Sequence, residues 1–128
     1  MPNNKIYNIN DRTLEFAAQV ARFINKLPLN QVTTEYNKQL IRSSASIGAN
    51  LEEADGTLSK RDFINKVAIS RREARESRYW LKLIKKADLI DNPQCMQEIE
   101  YLLEESEEIM LILSSIINKT KDKEADKQ

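Results

Sequence analysis

A chain of 128 residues with 20 lysines and arginines against 20 aspartates and glutamates, 41% hydrophobic and 31% charged, carries no net charge and enough apolar material for one core. Two glycines, one cysteine and no histidine exclude a glycine-rich phosphate loop, an internal disulfide, the histidine-dependent triads and the usual zinc ligands. No apolar run nears the roughly 18 residues of a membrane span and the start lacks a secretory pattern, so a cytoplasmic protein without membrane partner is expected.

The punctuation marks four helical stretches. Residues 1–10 read as a polar N-terminal arm, with Ile6, Tyr7 and Ile9 available to cover exposed core. The first helix is expected from about Asp11 to Leu27, capped by Asn10 or Asp11 and ended by Pro28. Leu14, Ala17, Ala21 and Ile24 recur at spacings of three and four beside Phe16, Val20, Phe23 and Leu27, which gives a wide apolar face. The second helix opens between Asn30 and Thr34, carries Tyr36, Leu40, Ile47, Leu51 and Ala54 inward, and reaches Gly56, a residue suited to a left-handed cap.

Ser59 with Asp62 three residues on is a capping-box variant that starts the third helix, expected to run to about Ala87. Its seam of Phe63, Val67, Ser70, Ala74, Ser77, Leu81 and Ile84 alternates steps of four and three, the pattern of helices packed at small angles. Asn92 as cap and Pro93 at the first helical position open the fourth. There Met96, Ile99, Leu103, Ser106, Met110, Leu113 and Ile117 repeat the seam, and Cys95, Leu102, Ile109 and Ile116 add a flanking row. Residues 119–128 hold one alanine among polar residues and read as a disordered charged tail.

Short connections force successive helices antiparallel, so residues 11–118 are expected to form an all-α, up-down-up-down four-helix bundle. The third and fourth helices would be about 40 Å long and the first about 25 Å at the usual rise. The long pair overhangs, and the arm, a loop or another subunit must cover its apolar seam.

The second and third helices resemble the bacterial four-helix-bundle proteins related to the 23S rRNA intervening-sequence proteins. The likeness rests on Arg42, Ser43, Ser46, Ile47, Asn50, Glu53 and Ala54, then Ser59, Lys60, Asp62 and Phe63, then Glu73, Ala74, Glu76, Tyr79, Trp80 and Leu81, in that order. The resemblance implies a four-helix bundle assembled into a ring, commonly a homopentamer. Some such proteins are encoded inside insertions of ribosomal RNA genes, and a related branch accompanying retroelements is thought to bind nucleic acid.

Four constellations are candidates for function. The small residues Ser43, Ser44, Ala45, Ser46, Gly48 and Ala49 suit a tight helix crossing, since glycine inside a helix is costly unless another backbone comes close. Asn50, Glu53, Glu73 and Glu76 lie one turn apart on two helices and read as a structural polar network with Arg42, Arg72 or Arg75 as counter-charges, and Glu53 is expected to be buried in it. A di-metal site would add histidine, so neither metal nor cofactor is expected. Arg71, Arg75, Arg78, Lys82 and Lys85 form one basic ridge able to hold RNA or single-stranded nucleic acid, with Tyr79 and Trp80 near enough to stack.

The competing reading neutralises that ridge against the fourth helix. Ser59 to Asp88 holds ten basic and four acidic residues, whereas Asn92 to Gln128 holds four basic and nine acidic. Tyr79, Trp80 and Leu83 on the far side of the seam suggest an oligomer interface. Cys95 aligns with Leu102 and reads as a small hydrophobe, which leaves no nucleophile with a base and no small-molecule substrate. A non-enzymatic, self-assembling scaffold or protein-interaction module is the resulting expectation, a pentamer for preference, with nucleic-acid binding as the alternative.

Overall fold

The computed structural model describes residues 8–126. Four helices follow one another: α1 (Ile9–Ile24), α2 (Gln31–Asp55), α3 (Lys60–Lys86) and α4 (Pro93–Asp126). Each packs on its sequence neighbours, and α1 closes the ring on α4, while among the described residues neither diagonal pair brings its backbones together. Cross-helix bonds show the antiparallel sense. Arg71 reaches Ser114, Arg78 pairs with Glu107 and Lys85 with Glu100, so numbers rise on α3 as they fall on α4.

Two of the helix starts, at Ser59 and Asn92, follow the expected caps, and α2 opens within its expected range, capped by Asn30. The side chains of Asn30, Ser59 and Asn92 accept from the backbone N–H of Thr33 (2.9 Å), Asp62 (3.1 Å) and Cys95 (2.8 Å). The first start differs: Asn8, in extended geometry, accepts from Asp11 N at 2.8 Å, so the helix begins at Ile9 rather than Asp11. With Asn8 as cap, Asp11 falls in the first turn, where a carboxylate suits the positive end of the helix dipole. Ile9 is therefore part of α1 and packs on the core, while Ile6 and Tyr7 lie outside the described residues.

The helix ends depart more. α1 stops at Ile24, and Leu27, still buried, follows through a turn bond from its N–H to Ile24 O. Gly56 has φ −93° and is not left-handed; Gly56 N and Thr57 N donate to Glu53 O and Ala54 O instead. The left-handed residue is Asp88, at φ 58°. Leu89 N bonds Ile84 O and Asp88 N bonds Lys85 O, the paired bonds of a Schellman ending built without glycine. α4 runs past the expected end at Asn118 to Asp126, its later turns formed by residues that include neither glycine nor proline.

The core joins Phe16, Val20 and Phe23 of α1 to Leu40, Ile47 and Leu51 of α2, Val67, Leu81 and Ile84 of α3, and Ile99, Ile109 and Leu113 of α4. The seam serines of α3 are satisfied: Ser70 donates to Ile47 O at 2.7 Å, and Ser77 shares a 2.8 Å bond with Ser43. On α4 the buried line is displaced from the expected one. Cys95, Leu102 and Ile109 are buried, Leu103 and Met110 are half-buried, and Met96 is exposed. The reason is that α4 serves two neighbours, so the residues between α3 and α1 bury deepest. On α1, Leu14 is likewise 70% exposed because the apolar face centres on Phe16, Val20 and Phe23.

Candidate functional site

The basic ridge is one stripe on α3, and the fold divides it. Arg71, Arg78 and Lys85, seven residues apart, lean toward α4, where Arg71 donates to Ser114 Oγ (3.1 Å) and the others pair with Glu107 and Glu100. Arg75 and Lys82 are exposed and make no ion pair among the described residues, Lys82 bordering the groove between α3 and α4 opposite Glu104. Arg72 and Lys86, which the sequence reading left out of the ridge, are exposed and unpaired in the same way. The outward basic strip is thus Arg72, Arg75, Lys82 and Lys86, at steps of three, seven and four.

Tyr79 stands in the middle of that strip, 57% exposed. Its ring meets the edge of Trp80 at 5.3 Å and 77°, and Trp80 in turn lies 5.8 Å from Tyr36. Trp80 is half-buried and donates Nε1–H to Glu76 Oε2 at 3.0 Å. Leu83 is half-buried. Of the three aromatic and leucine residues expected at an interface, Tyr79 alone projects fully, and Trp80 buttresses it.

The polar set is only partly gathered. Arg42 bridges two acids across the α2–α3 groove, bonding Glu73 at 3.2 Å and pairing with Glu76. Asn50 turns back along its own helix, donating to Ser46 O at 2.8 Å. Glu53, expected to be buried, has a side chain 59% exposed and pairs with Lys66 at 2.5 Å. It sits on the solvent flank of α2 because Leu51 and Ala54 occupy the inward directions beside it. Arg72 and Arg75 join none of these acids.

The small-residue patch marks close crossings on both sides of α2. A Cβ placed on Gly48 would lie 3.2 Å from Thr13 Oγ1 and 3.8 Å from Leu14 N, so α1 passes close here. Ser43 and Ile47 face α3 through the serine bonds.

One contact escaped the sequence reading, and the acidic fourth helix is only partly spent on neutralising the third. Arg12 grips Glu105 through Nε (2.7 Å) and Nη2 (2.9 Å), joining α1 to α4. That hydrogen bond, with the charge of Glu105 behind it, raises the Arg12 pKa despite partial burial. The outer face of α4 carries Tyr101 (49% exposed) and Leu111 (60%) beside Glu104 and Glu108, which have no ion pair among the described residues. Their signal was present: Glu104 and Glu108 are one turn apart and off the seam.

Comparison with known proteins places this geometry. A family model described as 23S rRNA-intervening sequence protein matches residues 5–120. The chain belongs to that family. It is also similar to a solved structure of a protein with unknown function from the S23 ribosomal protein family of Bacteroides thetaiotaomicron VPI-5482. The two are 36% identical with a TM-score of 0.74, over 86% of this chain and 98% of the other. No curated protein matches the chain. Among the described residues, no helix is long and apolar enough to cross a membrane.

Proposed function

We propose that this family member is a non-enzymatic, self-assembling scaffold, a homo-oligomer with the pentameric ring as its preferred form, acting in the cytoplasm. The observation that carries the reading is the outer surface of α3 and α4. Tyr79, Tyr101 and Leu111 project from it beside Arg75, Lys82, Glu104 and Glu108, which make no ion pair among the described residues, a mixture of apolar anchors and a polar surround that suits a protein interface. Further support comes from the groups that would serve chemistry. Glu53, Glu73 and Glu76 are each held by a cation, and the Cys95 thiol is buried at 1% exposure, away from any substrate and suited to a reducing compartment. Gel filtration with light scattering at micromolar concentration tests it: a multiple of the 14.8 kDa subunit is expected, and a stable monomer overturns the reading.

The unpaired strip around Tyr79 favours RNA or single-stranded nucleic acid as the second reading. It is the weaker one because Arg78 and Lys85, within the same stripe, already meet acids of α4. Four phosphate contacts would give a log-log salt slope of about −2.8 on a single strand, and Arg75→Ala would lower it by about 0.7. No binding at low salt removes this alternative.

A further inference from the structure

The charges of α3 and α4 that make no ion pair among the described residues are opposite in sign and lie on adjacent helices of one subunit, where Lys82 and Glu104 border one groove and the charge of Glu108 also acts on Arg12. We infer that the acidic outer face of α4 docks onto the basic outer face of α3 of a second copy, Glu104 toward Lys82 and Glu108 toward Arg75, around Tyr79. The inference rests on the self-assembly reading and specifies its interface.

The register within the subunit supports it. Arg78 pairs with Glu107 and Lys85 with Glu100, which fixes the α3 and α4 residues that share a level of the bundle. Interpolated along the two helices, Lys82 lies within one residue of the level of Glu104, and Arg75 within two residues of the level of Glu108. These are axial offsets of about 1.5 and 3 Å. Rotating a copy about an axis parallel to the bundle leaves every level unchanged, and it keeps α4 of the copy antiparallel to α3 of the first subunit. The same charges therefore come opposite one another with almost no rise. A head-to-tail contact of this kind closes into a ring, whereas one that needed a large axial step would grow a filament. Burial of Tyr79 and Leu111 supplies apolar area, and the charges set partner choice and register.

Two charge-reversal variants test the pairing: Arg75→Glu with Lys82→Glu, and Glu104→Lys with Glu108→Lys. All four positions are exposed, and a circular-dichroism melt checks that each variant is folded. The expected result is that each variant alone assembles only at concentrations at least tenfold above wild type, and that an equimolar mixture associates at wild-type concentrations into alternating species with an even number of subunits, because each reversed face complements a face of the other variant and an odd ring cannot alternate. Wild-type assembly by either variant alone, or a mixture that stays dissociated, overturns this interface while leaving self-assembly standing. A monomeric wild type overturns both. Single-stranded RNA binding lost in the Arg75→Glu, Lys82→Glu variant with its assembly intact gives the basic strip to nucleic acid and overturns the docking.

Discussion

Gly48 of α2 and Thr13 of α1 meet closely: an added Cβ would stand 3.2 Å from the Thr13 hydroxyl, so a methyl group there fits only if the threonine gives by a few tenths of an ångström. Thr13 is fully buried, and its hydroxyl donates back toward Ile9 O (3.0 Å) and Asn10 O (3.1 Å), so it cannot easily swing aside. Gly48→Ala gains about 1 kcal/mol of helix propensity, but crowding in a filled interior costs roughly 1 to 3 kcal/mol. A net loss of about 1 kcal/mol is expected in wild type, turning into a gain in a Thr13→Ala background. Denaturant melts at fixed protein concentration measure the cycle, and a stabilising Gly48→Ala in wild type would show that α1 yields at the crossing.

The Arg12 and Glu105 fork should be the ion pair of greatest consequence. Their side chains are 29% and 12% exposed, so losing the arginine strands a largely buried carboxylate. Arg12→Ala is expected to cost about 2 kcal/mol, less than for a fully buried pair because of the residual solvent, with Arg12→Lys between it and wild type. Because the folded pKa of Arg12 is raised, its contribution is complete below the unfolded value and disappears only as pH rises through the folded one. The Arg12→Ala penalty should thus hold constant between about pH 7 and pH 9 in thermal melts.

Glu53→Ala and Glu107→Ala should be nearly equivalent. Both side chains are at least half exposed and each pairs with a surface cation, for which double-mutant cycles give about 0 to 1 kcal/mol. Melting temperatures that differ by more than a few degrees would show that one of these pairs carries weight its exposure does not explain.

Cys95→Ala should leave assembly unchanged and cost about 1 kcal/mol through the lost packing of one buried atom. A thiol reagent should modify the native protein slowly and the urea-unfolded chain at once. Fast native labelling would place the thiol at the surface.

Much of this fold was legible because its signals are local. Asn30, Ser59 and Asn92 cap through their own side chains, and the α3 seam from Val67 to Ile84 depends only on helical period. The Asp88 ending was not legible, since a left-handed residue announces itself by glycine and here an aspartate takes the role. The α4 line through Cys95 and Leu102 depended on α1 packing beside it, a tertiary fact that periodicity on one helix does not contain. The ridge was legible as a stripe, yet spacing alone did not separate Arg78, which faces Glu107, from Arg75, which faces outward. Glu53 was misplaced because its neighbours in the motif suggested convergence, whereas its angle on α2 sends it to solvent.

The closure of α1 on α4 has a kinetic consequence. α2 with α3, and α3 with α4, are hairpins of neighbouring segments, but Arg12 must find Glu105 across 93 positions of chain. Loop closure over that span costs more entropy than any hairpin of neighbours, α1 with α2 included, so the contact of α1 with α4 should form after the hairpins. In refolding, substitutions at Arg12 would then accelerate unfolding with little effect on the folding rate, and a nascent chain would finish its core by returning to its own beginning.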